Sequence, residues 1–377
     1  MMNINEFRTP GQLLDALTKS KNWNQRLLAV VLGMDETGIN RLIADKRPVT
    51  AELALIFQDL FDVPAEKFLE LQKSYDLGKA RLTQIPDPER NLRAHLFGGL
   101  PVTEMVKRGW IKTNDIRDVS TVESGLTKFF GVKNINEIEI LPHAAKKTAV
   151  VGDVTPTQLA WLYRVKQITS DLITPKYSLT SVKNAISNLQ SLLLSPQEIR
   201  KVPRILTESG IRFVLVESLP TANIDGVCLW LDDERPVIAM SLRHDRIDNF
   251  WFVLRHEIEH VLRRHGQAAI MLDTELVETL DDATSKEEKM ANLAASEFCV
   301  PSKSMDKFME RKSPIFTERD MIGFARSLNI HPGLVVGQLH HRTGRYELFN
   351  KYLVKVRNLI TTSAIVDGWG NVAPTAS

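Results

Sequence analysis

Two histidines four residues apart, His256 and His260, lie in a segment whose apolar residues recur at helical spacing. The apolar residues form a stripe at positions i, i+4, i+7 and i+8, namely Leu254, Ile258, Val261 and Leu262. Residues i and i+4 of a helix lie one above the other on the same face, so both imidazoles can reach one ion. The segment therefore predicts a helix that packs through its apolar stripe and carries paired metal ligands on the opposite side.

The limits of this helix and the segments before it indicate a mixed fold. A cap at Asp248 or Asn249 is predicted to start the helix, which runs to about Arg264 and stops at Gly266. Three segments upstream are short, apolar and rich in β-branched residues, as is typical of strands: 211–216, 227–231 and 236–240. A small sheet followed by a helix with paired histidines resembles the order found in a zincin.

Glu257 stands directly after His256, where its carboxylate can reach a water on an ion held by the two histidines. Zinc lowers the pKa of such a water toward neutrality, and a nearby carboxylate takes the proton and passes it to the leaving amine. The HExxH pattern thus predicts a zinc-dependent metalloendopeptidase. Its cofactor would be a zinc ion (Zn2+), its ligands His256 and His260, and its catalytic base Glu257.

A third ligand is expected, because a catalytic zinc usually has three protein ligands and one open position. No histidine follows at the metzincin spacing, and His265, one turn further along, is expected to point away from the metal. A carboxylate from the next helix, predicted for about residues 285–298, is the better candidate. Spacing leaves four acidic residues open: Asp281, Asp282, Glu287 and Glu288.

The sequence around these residues resembles the ImmA/IrrE-type zinc metallopeptidases. The likeness is carried by residues 248–262, by Glu288-Lys289-Met290-Ala291-Asn292, and by the Ala294-Ala295 and Val300-Pro301 pairs that follow. In that family the second motif reads E-x-x-A-N-x-F-A, and its leading Glu is the third zinc ligand. The resemblance therefore implies that Glu288 has this role. It extends over about residues 206–340 and implies a regulatory protein, such as a repressor, as the substrate.

Two positions depart from the pattern of that family. Ala294 replaces the usual Phe of the second motif. Glu259 stands where Gly or Ala is common before the second histidine, and it adds a negative charge to the helix that bears the ligands.

The first 83 residues predict short helices joined by tight turns. Gly33 follows one helix, and Asp35 has the position of an N-cap for the next. The segment resembles the HigA-type antitoxins of the XRE helix-turn-helix group, and the resemblance implies that the second helix starts at Gln25 and the recognition helix at Glu36. The matching runs are residues 23–34, 39–43 and 46–50.

The same resemblance implies contacts with operator DNA. The exposed positions of the recognition helix would be Glu36, Thr37, Asn40 and Arg41. Gln25, Lys46 and Arg47 would contact phosphates. Residues 1–80 hold ten Lys and Arg and eleven Asp and Glu, so the domain is not basic as DNA-binding domains usually are. The alternative is that these helices form a homodimer or contact a cognate toxin.

The fold class expected for the whole chain is α+β in three parts. An N-terminal all-α helix-turn-helix domain covers residues 1–83, and a helical linker or packing region covers residues 84–205. A zincin-like domain with a small β-sheet, the HExxH helix and a helical C-terminal extension covers residues 206–377. The last dozen residues are small and polar and are expected to fray.

Composition narrows the setting of the protein. The net charge is only +2, so bulk charge does not argue for nucleic acid or a membrane surface. The two cysteines, Cys228 and Cys299, lack a metal-binding spacing and are typical of a reducing cytosol. The polar start of the chain and the absence of a run of about 20 apolar residues predict a cytoplasmic protein with no membrane partner.

Two functions are compatible with these features. The first is a DNA-binding, antitoxin-like transcriptional regulator whose metallopeptidase domain cleaves one regulatory protein. The second is a HigA-like antitoxin or repressor that acts by binding toxin and operator DNA, with a structural or sensory zinc site. A further histidine, His331, has two interpretations, as a donor near the metal or as a helix cap before Pro332.

Overall fold

A computed structural model of the chain describes residues 6–85, 87, 90–138, 154–265, 271–274 and 286–375. The chain divides into two compact units, Met1–Pro88 and Glu89–Ser377. It is mostly helical, with a small mixed sheet in the second unit. Among the helices that the structure describes, none combines the length and the apolar character that crossing a bilayer requires.

The described residues of the first unit form five helices: α1 (Pro10–Ser20), α2 (Gln25–Leu32), α3 (Glu36–Ile43), α4 (Ala51–Phe61) and α5 (Ala65–Thr83). Four of these helices begin at a side chain that accepts a hydrogen bond from the first turn, namely Thr9, Asn24, Asp35 and Thr50. Gly33 ends α2 with a φ of 65°, a left-handed conformation that glycine adopts without strain. These local signals explain why α2 and α3 begin at Gln25 and Glu36, the starts that the resemblance implied.

The core of the first unit is formed by the inward faces of these helices. Its fully buried members include Leu13, Leu28, Ile39, Leu42, Phe57 and Phe68. Because Ile39 and Leu42 turn inward, the opposite face of α3 is left to solvent.

Helices both precede and follow the sheet of the second unit. Those before it are α6 (Arg90–Gly99), α7 (Val102–Lys107), α8 (Val119–Phe130), α9 (Pro156–Ser170), α10 (Leu179–Gln190) and α11 (Val202–Glu208). Those after its third strand are α12 (Ile247–Leu262), α13 (Lys286–Cys299), α14 (Ser302–Lys312), α15 (Glu318–Ser327), α16 (Pro332–Thr343) and α17 (Arg357–Ile360). Short 3₁₀ turns lie at Ile135–Glu137, Pro196–Lys201 and Asn350–Tyr352.

The strands within the described residues are β1 (Arg212–Val216), β2 (Ile224–Trp230), β3 (Pro236–Met240), β4 (Met271–Thr274) and β5 (Ile365–Asp367). They form one sheet in the order β4-β2-β3-β1-β5. β2 is antiparallel to β3 and β4, whereas β1 is parallel to β3 and β5. The three strands predicted from sequence are β1, β2 and β3. The edge strands β4 and β5 were not predicted.

Both faces of the three central strands β1, β2 and β3 are buried, which is why these strands contain continuous apolar runs. Alternate residues point to opposite faces, and in β3 they fall into two separate cores. Ile238 and Met240 pack with α12 and α16, whereas Val237 and Ala239 pack with α8 and α9.

The middle region is predicted as a linker or packing region over residues 84–205, and its described helices from α6 to α11 contribute residues to the two cores beside the sheet. Its first helices cover one face of the sheet, and α10 and α11 join the core on the other face. The boundaries at residues 83 and 205 stay predictions.

The prediction that the last dozen residues fray is wrong for the part that the structure describes. Asp367 is only 1% exposed and Ala373 only 4% exposed. β5 pairs with β1, and a bridge joins Gly368 to Asn371. The small, polar residues of this segment predicted a frayed terminus, but the buried carboxylate of Asp367 holds the segment in the fold.

Candidate metal centre

Helix α12 carries the paired histidines and is more buried than its sequence predicts. His256, Glu257 and His260 are fully buried, like Leu254, Ile258 and Val261 of the apolar stripe. The predicted caps Asp248 and Asn249 lie inside the first turn instead. The N-cap is Arg246, whose guanidinium donates to the Asp248 carboxylate, so the two charges pair at the start of the helix.

The end of α12 also differs slightly from the prediction. Its last residue is Leu262, and Arg263 is its C-cap. The predicted stop at Gly266 lies outside the described residues.

The structure brings His256, His260 and Glu288 together at one point. The two Nε2 atoms are 2.9 Å apart, Glu288 Oε2 is 3.2 Å from His256 Nε2, and Glu288 Oε1 is 3.5 Å from His260 Nε2. One ligand atom from each residue lies within 4.8 Å of the others. Ligands about 2.0–2.1 Å from a tetrahedral zinc are roughly 3.3 Å from one another, so these distances suit such an ion.

Helix α13 supplies the third member of the cluster, because it packs along α12 with Glu288 in its first turn. Of the four acidic residues that spacing left as candidates for the third ligand, Glu288 lies in the cluster and Glu287 does not. The Glu287 Oε1 atom lies 3.9 Å from Nε2 of His265. Asp281 and Asp282 lie outside the described residues.

Hydrogen bonds at the Nδ1 atoms of His256 and His260 orient both imidazole rings. His256 Nδ1 donates to the Asn292 Oδ1 atom at 3.0 Å, so the neutral ring keeps the lone pair on Nε2 for a metal. Asn292 lies one turn after Glu288 on α13, so one helix supplies both a ligand and the support of another. The sequence motif contains this asparagine, and its i+4 spacing from Glu288 was the signal for its role.

His265 is not part of the metal cluster, but its side chain contacts one of the cluster's histidines. Its Nδ1 is 3.0 Å from Nδ1 of His260, at hydrogen-bonding distance. The main chain turns after Arg263, with Arg264 at a φ of 58°, and this turn folds the His265 ring back onto the helix. His265 thus supports His260 as Asn292 supports His256.

Glu257 points toward strand β2, where Gly226 makes room for it. A Cβ atom at position 226 would lie 2.2 Å from Glu257 Oε1 and 2.9 Å from a Val253 methyl carbon. Any side chain there would displace the carboxylate. A residue without a side chain in the middle of a buried strand is therefore a structural requirement of this site.

The additional negative charge of Glu259 is neutralised within the helix. Its carboxylate accepts hydrogen bonds from Arg255 at 2.8 Å and from Arg263 at 2.6 Å, one turn to either side. Burial alone would raise the pKa of Glu259. The two guanidinium groups outweigh burial, and the pKa lies below its ordinary value.

His331 was predicted either to donate near the metal or to cap a helix, and in the structure it caps a helix. It is the N-cap of α16, and its Nδ1 accepts a hydrogen bond from the Gly333 N–H at 3.0 Å. The main-chain N–H of His331 donates to the main-chain carbonyl of Leu193 at 2.8 Å. Burial lowers the pKa of His331, which favours the neutral ring that can accept this bond.

In the first unit, the residues predicted to contact DNA lie mainly at the surface. Gln25 is half-buried, and the exposed ones are Glu36, Thr37, Asn40, Arg41, Lys46 and Arg47. Glu36 at the start of α3 is 3.4 Å from the Arg26 guanidinium, so a neighbouring cation partly offsets its charge.

The second unit thus has the elements of a metal-dependent peptidase: a buried His-His-Glu cluster that could hold a metal ion, with a buried carboxylate next to the first histidine. Residues 208–320 match the family model of the IrrE N-terminal-like domain, Peptidase_M78. The matched residues include β1 to β4, α12 and α13, and so the whole cluster. None of the curated proteins compared with the chain matches it. The matched segment and the cluster together indicate a metallopeptidase-type domain.

Proposed function

We propose that the second unit is a zinc peptidase in which His256, His260 and Glu288 hold the ion and Glu257 is the base. The observation that carries the proposal is the convergence of two buried imidazole Nε2 atoms and one carboxylate. Two histidines and one glutamate are a ligand set of catalytic zinc, which keeps a fourth position open. A structural zinc site usually has four protein ligands.

In this proposal each residue of the site has a separate role in hydrolysis of the peptide bond. A zinc ion held by these residues would act as a Lewis acid and would lower the pKa of a water molecule toward neutrality. Glu257 takes a proton as the water attacks the peptide carbonyl and delivers it to the leaving amine nitrogen. Asn292 and His265 keep the two histidines in place, and the ion pairs of Glu259 hold its charge away from the reaction.

The substrate that we propose is a regulatory protein, such as a repressor, which is cleaved at one or a few sites. This step rests on the resemblance to the ImmA/IrrE-type peptidases. The reaction would take place in the cytoplasm, where the regulators of transcription act.

Metal removal tests the peptidase. We expect the purified protein to hold one zinc per chain, and to produce new termini in a peptide library that disappear after chelation and return with added zinc. Metal content is measured by mass spectrometry, and new termini by labelling the released amines. Protein that binds no zinc, or cleavage that persists after chelation, would contradict the proposal.

For the first unit we propose binding to operator DNA through the exposed face of α3. Thr37, Asn40 and Arg41 lie on this face, while Ile39 and Leu42 anchor the helix to the core. Asn and Arg are side chains that read base edges, and the Arg26–Glu36 pair offsets a charge that would repel phosphate. A homodimer would place two such faces on a two-fold-symmetric site.

A gel-shift titration with the DNA upstream of the reading frame tests this role. We expect a shift at low salt that Arg41→Ala weakens by about tenfold, because one direct contact to a base contributes roughly that discrimination. Lys73→Ala, an exposed cation on α5, is the matched control and should bind like the wild type. No shift at low salt, or equal loss in both variants, would remove the DNA role.

A second candidate function remains if DNA binding or toxin binding occurs without cleavage. The chain would then be a HigA-like antitoxin or repressor, and the zinc site would be structural or sensory. The buried, hydrogen-bonded ligands are compatible with this alternative, because such support also stabilises a site that does not turn over.

A further inference from the structure

Strand β2 faces helix α12 with three alternate residues, Gly226, Cys228 and Trp230. Gly226 leaves the space that the Glu257 carboxylate occupies. The other two residues contact one atom, the main-chain carbonyl oxygen of His265. The Trp230 Nε1–H donates to this oxygen at 2.9 Å, and Cys228 Sγ lies 3.7 Å from it. One face of one strand thus contacts both the proposed base and the residue that supports the second histidine.

His265 lies beyond the end of α12, so the helix alone does not fix its position. Its main-chain N–H still donates to the His260 carbonyl at 2.9 Å, but Arg264 before it has a φ of 58°. This left-handed conformation is unfavourable for arginine, so contacts outside the helix must stabilise the turn. The hydrogen bond from Trp230 to the His265 carbonyl is such a contact, and it comes from the sheet.

Two neighbouring side chains hold the indole ring of Trp230. The Arg264 guanidinium lies over the ring at 5.5 Å, and its Nη2 donates to the Asp233 carbonyl at 2.8 Å. The Tyr177 ring meets the indole edge-on at 5.2 Å, and the Tyr177 hydroxyl donates to the Val261 carbonyl at 3.3 Å. Trp230 is only 9% exposed, so water competes little for its N–H.

The metal-binding form of His260 fixes the direction of its bond to His265. A neutral imidazole that offers the Nε2 lone pair to a metal carries its proton on Nδ1. His260 Nδ1 therefore donates to His265 Nδ1 at 3.0 Å, and the proton of His265 lies on Nε2, 3.9 Å from the Glu287 carboxylate. A shift of the His265 ring would weaken this bond and leave the ligand less well oriented.

We propose that Trp230 is a positioning residue of the metal site. Its indole N–H fixes the His265 carbonyl, which holds the His265 ring against His260 and so orients the Nε2 atom of that ligand. The inference rests on the proposed zinc site but not on peptide cleavage, so it can be tested by metal binding alone.

The test is the zinc affinity of the full chain, measured by competition with a chelating dye. Trp230→Phe keeps an aromatic ring but removes the N–H, and it should weaken zinc binding about three- to tenfold, the effect of one hydrogen bond. His265→Ala removes the direct support of His260 and should weaken zinc binding about 10- to 100-fold. The double variant should bind zinc as His265→Ala does, because the indole acts only through the His265 ring.

Trp161→Phe is the matched control. It removes an indole N–H that donates to the Val216 carbonyl at 3.0 Å, in the core on the other face of the sheet. Both single tryptophan variants should lower the unfolding midpoint, but Trp161→Phe should bind zinc like the wild type. The visible absorption of the cobalt-loaded protein reports ligand geometry, and it should change in Trp230→Phe and not in Trp161→Phe.

A second variant carries the test if Trp230→Phe does not fold, which melting curves show. Arg264→Ala removes an exposed side chain that covers the indole, so the core stays intact. It should weaken zinc binding about two- to fivefold, the effect of one exposed cation–π contact. This loss, too, should be absent when His265 is already alanine.

Three results would overturn the inference. Zinc affinity of Trp230→Phe equal to that of the wild type shows that the indole does not position the ligand. A further loss from Trp230→Phe in the His265→Ala protein shows that Trp230 acts on the fold in general. Wild-type protein that binds no zinc overturns the proposed metal site, and this inference with it.

Discussion

Replacing Glu257 with Gln is expected to leave the zinc content unchanged and to lower kcat by about 10²- to 10⁴-fold, the usual contribution of a general base. The amide has nearly the shape of the carboxylate and fits the space beside Gly226, but it cannot take a proton. The three proposed ligands stay in place, so binding of the ion is unaffected. The measurement is cleavage of a peptide substrate found in the library, together with metal analysis of the same preparation.

Glu259→Gln is the matched control, since it makes the same change to a buried carboxylate of the same helix. Arg255 and Arg263 lose their common partner, so we expect a lower free energy of unfolding but unchanged turnover of the folded enzyme. If Glu257→Gln turns over like the wild type with zinc bound, Glu257 is not the base. If both variants lose activity equally, the loss reflects the helix and not the reaction.

Replacing Asp367 with Asn is expected to lower the free energy of unfolding of the second unit by about 3–5 kcal/mol, as is typical when a buried ion pair loses one partner. The Asp367 carboxylate accepts from the Arg164 guanidinium, from Trp110 Nε1 at 2.7 Å and from the Ala373 N–H at 3.1 Å. Arg164 is only 3% exposed, so the substitution leaves a buried cation without its counter-charge. Urea unfolding followed by circular dichroism measures the change.

Two comparisons separate the buried pair from a general effect of charge. Glu208→Gln removes the carboxylate of an exposed pair with Arg204 and should not change the unfolding midpoint measurably. The double change Arg164→Met with Asp367→Leu should recover part of the loss, because apolar side chains can replace a buried pair. An unfolding midpoint for Asp367→Asn equal to that of the wild type would show that the tail does not depend on this contact.

The helices and central strands could be predicted because their signals are local. Asp35 caps α3 through the N–H of Gly38, three residues away, and Gly33 ends α2. In the same way, the apolar runs of β1 and β3 reflect burial on both faces. The edge strand β5 is short and half exposed, so its pattern carries little of this signal.

In the metal site too, contacts between residues close in sequence could be predicted, whereas contacts between distant residues could not. His256 and His260 share one face because 3.6 residues make a turn, and a sequence contains that information. The support of His256 by Asn292 and the space that Gly226 leaves for Glu257 join separate elements. Motifs point to such residues, but the contacts arise when α12 packs between α13 and the sheet.

Local signals were thus sufficient for the HExxH helix, for the N-cap of α3 at Asp35 and for β1 to β3. The packed fold was required to bring Glu288 to the two histidines and to bury Asp367 in the tail. The physical reason is range along the chain. Caps and turns are set within a few residues, whereas Asp367 is 203 positions from Arg164 and depends on every element between them being in place.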